Sequence, residues 1–145
     1  MRVVIQRVSR AKVSVDGEVV ASIDAGLLVL VGFTAGDDED KLVWMTKKLT
    51  GLRIFEDEAG KMNRSVKDVD GSMLVVSQFT LYADIRKGKR PSFMEAAEPV
   101  LARRLYDKFC EMLQDEDVPI QTGVFGAMMD VDLCNAGPVT IIAER

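Results

Sequence analysis

The strongest constraint on the fold comes from two continuous apolar runs, residues 26–33 (GLLVLVGF) and 72–81 (SMLVVSQFTL). Apolar runs of this length, without polar alternation, are typical of strands buried on both faces of a sheet. Both runs are too short to cross a bilayer as a helix. A chain built around them must therefore cover both faces of a central sheet.

Shorter segments on either side of these runs also have the composition of strands. The Asp16-Gly17 pair predicts a two-residue hairpin turn, because both residue types tolerate a positive φ. Residues 135–138 predict a second connection, between the last two strands. The shorter strands are expected at residues 1–7, 11–15 and 19–23, shortly after residue 53, and at about 127–134 and 139–143.

Two helices are predicted from capping residues and apolar spacing. Asp37 is the expected N-cap of the first helix and Gly51 its expected C-terminal cap. The second helix is expected to begin at Pro99, a residue suited to the first helical position, and to run to about Asp115. The apolar stripes are Leu42, Met45, Leu49 and Leu52 on the first helix, and Leu101, Leu105, Phe109 and Met112 on the second.

This order of elements predicts an α+β fold with two main helices on a mixed or antiparallel, barrel-like sheet. The length of 145 residues fits one domain spanning residues 1–145, and no linker or repeat divides it. A small chain with so many strands must cover its sheet edges, which favours a homodimer.

The chain contains no histidine. This excludes Ser-His-Asp and Cys-His catalysis and histidine-ligated zinc. The acidic residues 37–40 are explained by a helix start, and Cys110 and Cys134 share no metal-ligand spacing. We therefore expect two reduced, buried thiols, no metal and no cofactor.

The net charge of −4 is unfavourable for gripping a long duplex, although it allows contact with a short end of a nucleic acid. The first residues carry Arg2 and Arg7 and have no apolar core or cleavage site of a signal peptide. A cytoplasmic protein without a membrane segment is expected.

The first candidate for chemistry is Ser77-Gln78-Phe79-Thr80, at the end of the second apolar run. Strand alternation would place Gln78 and Thr80 on one face, where a hydroxyl and an amide suit a small polar site. The alternative is a strand that simply runs out into solvent. Further along the chain, Met128 and Met129 follow Phe125 and either line a pocket or fill the core.

The second candidate is Asn135-Ala136-Gly137-Pro138-Val139-Thr140. A Gly-Pro pair between strands is normally a tight turn. If its peptide bond is cis, the turn presents backbone carbonyls in an unusual direction.

The third candidate is a cluster of four basic residues within a five-residue stretch of an acidic chain. It is either a phosphate contact or a solvated surface loop. The cluster consists of Arg86, Lys87, Lys89 and Arg90.

Together these segments resemble the D-aminoacyl-tRNA deacylase family over the whole chain. The pieces that carry the resemblance are IQRVSRAKVSVDGE, GLLVLVG, LRIFEDEAGKMN, LVVSQFTLYAD, RPSF and NAGPVT, in this order. The resemblance implies an intertwined homodimer with active sites at the subunit interface. The substrate it implies is the acceptor end of aminoacyl-tRNA.

The resemblance also assigns roles to individual residues. Ser77, Gln78, Phe79 and Thr80 would form the catalytic pocket floor, with Phe125 as a pocket residue near the adenine. Met129, close to Phe125 in the sequence, is a further pocket candidate. Gly137-Pro138 would enter the partner's site as a Gly-cisPro filter that rejects L-aminoacyl esters and lets glycine pass, as on glycyl-tRNA(Ala). Arg7 would support this element. The implied role is proofreading of translation.

Two mechanisms and two rival functions remain open at this point. Thr80 is either a nucleophile or a residue beside backbone N–H groups that stabilise the oxyanion, while the terminal ribose 2′-OH helps to activate water. The missing general base favours the second mechanism. The rivals are a non-catalytic nucleic-acid or nucleotide-binding module and a hydrolase of free D-amino acid esters or peptides.

Overall fold

The computed structural model describes residues 1–145. The sheet contains six strands in the order β2-β1-β3-β6-β7, with β8 on the other edge of β1, and a separate hairpin consists of β4 and β5. The strands are β1 (Arg2–Val15), β2 (Glu18–Ile23), β3 (Gly26–Gly32), β4 (Phe55–Glu56), β5 (Met62–Arg64), β6 (Ser72–Ser77), β7 (Ile120–Thr122) and β8 (Asp130–Glu144). The helices are α1 (Glu39–Gly51), α2 (Pro99–Gln114) and a short 3-10 helix (Phe79–Tyr82).

The sheet is mixed, as the sequence predicts. Strand β1 pairs antiparallel with β2, β3 and β8, whereas β3 with β6 and β6 with β7 are parallel pairs. The predicted hairpin turn is confirmed, since Asp16 and Gly17 have φ of 51° and 82°. Strand β7 was not predicted, because three residues carry no periodic signal.

Both apolar runs form central strands, and alternate residues of these strands enter two different cores. Leu27, Val29 and Val31 face a larger core that α1 and α2 cover. Leu28 faces a smaller core between the curled sheet and β2, together with Leu74 of β6. The two helices therefore cover one face of a barrel-like sheet, and the sheet closes upon itself around the other core. No helix has the length and apolar content that crossing a membrane requires.

The capping predictions for α1 are wrong. Asp38, and not Asp37, is the N-cap, and its carboxylate accepts the Lys41 N–H at 3.1 Å. Asp37 is instead buried, and its carboxylate accepts hydrogen bonds from the Met1 ammonium and the Thr34 N–H. Gly51 is the last helical residue and has no positive φ, so Leu52 occupies the C-cap.

The second helix begins at Pro99 as predicted and ends at Gln114. Leu105 and Phe109 of the predicted stripe are buried, while Leu101 and Met112 pack against the core from partly exposed positions. The helix therefore lies on the sheet with the face that its sequence predicts.

The end of the second apolar run differs from the prediction. Strand β6 stops at Ser77, and residues 79–82 turn into the 3-10 helix. Strand alternation therefore does not apply beyond Ser77. The reason is tertiary: the Gln78 N–H still donates to the Val31 carbonyl at 2.7 Å, but Gln78 is the last residue that β3 can pair.

The last two predicted strands are one strand, so the prediction of a tight turn at Gly137-Pro138 is also wrong. Strand β8 stays antiparallel to β1 on both sides of this pair, with Val8 opposite Asn135 and Gln6 opposite Thr140. Residues 136–139 of β8 therefore lie opposite the single residue Arg7. The Gly-Pro pair forms a bulge, which re-aims backbone groups without reversing the chain.

Candidate active site

A cavity of about 790 Å³ opens where β6 ends. The 3-10 helix forms its floor, the start of α2 one wall, and residues 125–129 another wall. The structure thereby brings Ser77, Gln78, Phe79 and Thr80 together with Phe125 and Met129, which lie far apart in the sequence. The lining is mostly apolar with a few polar groups on the floor, as is usual for small-molecule sites.

The floor positions two side chains and two backbone donors. The Gln78 amide Nε2 donates a short hydrogen bond to the Thr80 hydroxyl, so these side chains do lie together, although the turn and not a strand places them there. The N–H groups of Phe79 and Thr80 stand at the start of the 3-10 helix, where a helix leaves its donors without intrahelical acceptors. No loop or side-chain acceptor binds them. Two adjacent free N–H groups can stabilise an oxyanion.

The Thr80 hydroxyl has no base beside it. Its only hydrogen-bond partner in the structure is Gln78, which donates and cannot take a proton. Glu98 is the single ionisable residue among those lining the cavity, and its carboxylate makes no hydrogen bond to the floor. The arrangement suits transition-state stabilisation better than nucleophilic attack by Thr80.

The Phe125 wall is braced from α2. The Tyr106 ring contacts the Phe125 ring at 5.7 Å between centroids, and the Arg103 guanidinium lies 5.5 Å from the Phe125 ring centre. The Tyr106 hydroxyl donates to the Val75 carbonyl at 2.9 Å, and the Gly123 N–H donates to the same carbonyl. Burial raises the pKa of Tyr106, which keeps this hydroxyl protonated and donating.

Gly123 leaves the space that the Met129 side chain occupies in the cavity wall. A Cβ at Gly123 would lie 2.7 Å from the Met129 sulfur, so a larger residue would push this side chain away. Met129 is thus a pocket residue whose position depends on a neighbouring glycine. The sequence offered no direct signal for this pairing.

The Gly137-Pro138 bulge does not line the cavity of its own chain. Its peptide bond is cis, and both residues are exposed. The buried Arg7 side chain holds the bulge: its Nε donates to the Ala136 carbonyl at 2.9 Å, and its Nη1 donates to the Ile54 carbonyl at 2.6 Å. Asn135 accepts the Val139 N–H across the bulge at 2.9 Å. The structure therefore places Arg7 where it supports this element.

The basic cluster lies on a loop that is anchored to the cavity. Arg86 is bound to Asp84 at 2.8 Å and lies 3.8 Å from Glu95, and the Arg86 hydrogen bonds lower the pKa of Asp84 to about 2. The other three basic residues are exposed and make no ion pair; they are Lys87, Lys89 and Arg90.

Phe93 connects this loop to the floor, and sequence reasoning missed its role. The Phe93 ring meets the Phe79 ring edge to face, 5.1 Å between centroids. Both side chains remain partly exposed at the rim of the cavity. An aromatic residue soon after the basic cluster is a weak signal that only the fold makes informative.

No group of three or more histidine, cysteine, aspartate or glutamate side chains comes together as a possible metal site. Cys110 is buried, Cys134 is half-buried, and both are free thiols. The expected burial of both thiols is correct for Cys110 only.

The sequence and the fold both match known proteins. The chain is 64% identical to D-aminoacyl-tRNA deacylase of Thermomicrobium roseum over 97% of this chain and 92% of that protein. It is 58% identical to D-aminoacyl-tRNA deacylase of Chlorobaculum tepidum over 99% of this chain and 97% of that protein.

Two solved structures share the fold. One, a c-Myc DNA Unwinding Element Binding Protein, has a TM-score of 0.95 and 42% identity, over 100% of this chain and 99% of that one. The other, a probable eukaryotic D-amino acid tRNA deacylase, has a TM-score of 0.84 and 19% identity, over 98% and 97%. The family model described as D-Tyr-tRNA(Tyr) deacylase matches residues 4–144. The chain therefore belongs to the D-Tyr-tRNA(Tyr) deacylase family.

Proposed function

We propose that this protein hydrolyses the ester bond of D-aminoacyl-tRNA, releasing free tRNA and the D-amino acid. The observation that carries the proposal is the pair of unbonded N–H groups at Phe79 and Thr80, two residues that line a largely apolar cavity beside Gln78. Such donors stabilise the oxyanion that forms when water attacks an ester carbonyl. The relatives that share more than half of this sequence bear the same activity in their names.

The proposed mechanism is positional. Water attacks the ester carbonyl, the Phe79 and Thr80 N–H groups hold the oxyanion, and the bond to the ribose 3′ oxygen breaks. The neighbouring ribose 2′-OH helps to activate the water, and the departing 3′ oxygen takes the proton. No histidine, metal or covalent intermediate is needed, and holding the reactants in place supplies much of the rate.

Discrimination against L-aminoacyl esters is assigned to Gly137-Pro138. In the proposed homodimer, the bulge of one protomer enters the cavity of its partner, where its carbonyls hold the substrate ammonium and leave no room for an L side chain. Glycine has no side chain to exclude, so glycyl-tRNA(Ala) is also cleaved. The exposure of the bulge and its absence from the lining of its own cavity support action across the interface. The proposed role is proofreading of translation in the cytoplasm.

A mixing experiment tests whether the bulge acts across subunits. Ala127→Trp fills the cavity, and Gly137→Val disrupts the bulge, because a Cβ there would lie 2.6 Å from the Arg7 guanidinium. Each variant alone is expected to be inactive. After mixed refolding, about a quarter of wild-type activity should return, since half the dimers are mixed and each has one intact composite site. No recovery, with mixed dimers present, would mean that the bulge acts within its own chain.

The direct test is hydrolysis of matched D-, L- and glycyl-tRNA with a metal chelator present. Cleavage of the D and glycyl esters, but not the L ester, supports the proposal. Cleavage of the L ester would contradict the filter. Binding of tRNA without cleavage would favour the rival nucleic-acid-binding function, which the name of one structural neighbour suggests. Equal cleavage of D-amino acid methyl esters would favour a hydrolase that does not read RNA.

A further inference from the structure

Glu98 lies on the wall of the cavity and has no role in the mechanism above. It is the one residue with an ionisable side chain among those that line the cavity; the others are apolar residues, glycines, Ser77, Gln78 and Thr80. The Arg103 guanidinium contacts the Phe125 ring of the wall but is not itself part of the lining, so Glu98 is the one lining residue whose charge can act on a bound substrate.

The Glu98 carboxylate has no partner in the chain. It forms no salt bridge and, although it precedes α2 at the N-cap position, its side chain makes no capping hydrogen bond. A structural duty as a cap or as half of an ion pair therefore does not explain it. The dipole of α2 stabilises a carboxylate near its N-terminus by only about 0.3 to 1 kcal/mol. A carboxylate would gain this anywhere around the first turn, so the dipole does not explain why Glu98 lies at the cavity.

The backbone on both sides of Glu98 is rigidly held. The Ala97 N–H donates to the Phe33 carbonyl at 2.8 Å, and the Glu98 carbonyl accepts the Ala102 N–H at 2.9 Å. Pro99 occupies the first helical position and restricts the residue before it. The backbone of Glu98 is therefore fixed at the edge of the cavity, and its side chain is exposed to solvent there.

We infer that Glu98 biases the enzyme among D-amino acids by the charge of their side chains, favouring cationic over neutral and neutral over anionic ones. The inference rests on the proposed function. The Gly137-Pro138 filter rejects L-aminoacyl esters without reading the D side chain, and Glu98 would add a preference among the D-aminoacyl esters. At a separation of about 6 Å in water, the Glu98 carboxylate would change kcat/KM by about threefold for each unit charge on the D side chain. The kcat/KM ratio between a cationic and an anionic substrate would then be about tenfold.

The test uses 3′-(D-aminoacyl)adenosine esters of D-lysine, D-methionine and D-glutamate, which remove any preference for a tRNA body. The quantity compared is kcat/KM for each ester relative to the D-methionyl ester. The wild type is expected to show a lysyl-to-glutamyl ratio of about ten, Glu98→Gln a ratio near one, and Glu98→Lys an inverted ratio. Raising the salt from about 0.05 M to 0.5 M should compress the wild-type ratio.

Glu111→Gln is the matched control, because it removes the same charge from α2 at an exposed position paired with Lys108 and away from the cavity. It should leave the ratio at the wild-type value. An equal ratio in the wild type and Glu98→Gln, with both cleaving the D-methionyl ester, would overturn this inference alone. If none of the D esters and no D-aminoacyl-tRNA is cleaved by the wild type, the proposed function itself fails.

Discussion

At the scale of single residues, Thr80 distinguishes the two mechanisms. Its hydroxyl accepts a hydrogen bond from Gln78 and faces no group that can remove its proton. A threonine with an ordinary hydroxyl is a poor nucleophile unless a base activates it. The backbone N–H of Thr80, in contrast, is present whatever side chain the residue carries.

We therefore expect Thr80→Ala to retain kcat within about tenfold of the wild type, because the oxyanion donors are backbone groups. Single-turnover hydrolysis of D-aminoacyl-tRNA measures this. Thr80→Pro is the contrasting variant: it removes the N–H and should lower kcat by about a hundredfold or more. A dead Thr80→Ala variant, together with an acyl-Thr80 adduct trapped on the wild type, would establish the nucleophilic mechanism instead.

Arg7 gives a second prediction at this scale. Its guanidinium reaches the Ala136 and Ile54 carbonyls at once, which a lysine ammonium on a single flexible stem cannot reproduce. Arg7→Lys should lower the free energy of unfolding by about 1 to 3 kcal/mol and raise the L-to-D cleavage ratio, because the bulge loses its support.

Chemical denaturation and paired D and L assays measure the two effects of Arg7→Lys. Arg10→Lys, at an exposed position of the same strand, is the control and should change neither quantity. A destabilised Arg7→Lys variant with unchanged L-to-D ratio would restrict Arg7 to a folding role.

At the scale of elements, α2 is joined to β6 by one buried hydrogen bond from Tyr106 to Val75. Tyr106→Phe removes the donor and keeps the ring against Phe125, while Val75 retains its bond from Gly123. We expect a loss of about 1 kcal/mol in the free energy of unfolding, or a few degrees in Tm, because the remaining carbonyl is still partly satisfied. Tyr82→Phe is the matched control, since the structure gives the Tyr82 hydroxyl no partner. Equal Tm losses in both variants would contradict this assignment.

The basic loop is the second element with a separable role. The double variant Lys87→Glu, Lys89→Glu should weaken tRNA binding, because both ammonium groups are exposed and free of ion pairs. The slope of the logarithm of the binding constant against the logarithm of the salt concentration should fall by the equivalent of about two phosphate contacts. Hydrolysis of an aminoacyl-adenosine ester should not change. Lys47→Glu with Lys61→Glu makes the same change in net charge at other exposed positions and serves as the control. Equal losses on tRNA and on the minimal ester would exclude the loop as an RNA contact.

At the scale of the whole molecule, the absence of histidine shapes the dependence of stability on pH. Burial raises the pKa of Cys110 to about 12 and that of Tyr82 to about 12, so the folded state keeps these protons longer than the unfolded state does. Their contribution is complete below about pH 9 and is lost as the pH rises towards 12. Asp84 has the opposite sign: its contribution is present above about pH 4 and is lost as the pH falls to about 2.

We therefore expect Tm to be flat between about pH 5 and 7, where histidines would titrate in most proteins, and to fall on both outer sides. Differential scanning calorimetry from about pH 2 to 11 measures this profile. A transition centred near pH 6.5 would contradict it, because no histidine is present to produce one.

Much of the fold could be predicted from local chemistry, and so could the floor of the cavity. The apolar runs determined two strands buried on both faces, Asp16-Gly17 determined a hairpin, and Pro99 determined the start of α2. The polar residues at the end of the second run indicated a candidate site, because hydroxyl and amide groups need hydrogen-bond partners that an apolar core does not supply. The fold places these residues at the cavity. These features are set by neighbours in the chain, which a sequence displays directly.

Features that depend on pairing between distant segments were decided only by the tertiary structure. Whether Gly137-Pro138 forms a turn or a bulge depends on β1 running past it on both sides, and proline is compatible with either. Asp37 has the composition of an N-cap, yet burial beside the Met1 ammonium offers it a stronger partner than the helix does. In the sequence, Glu98 cannot be distinguished from any other surface carboxylate, and only the fold shows that it lines the cavity. In each case local propensities differ by about 1 kcal/mol, and contacts made across the fold decide the outcome.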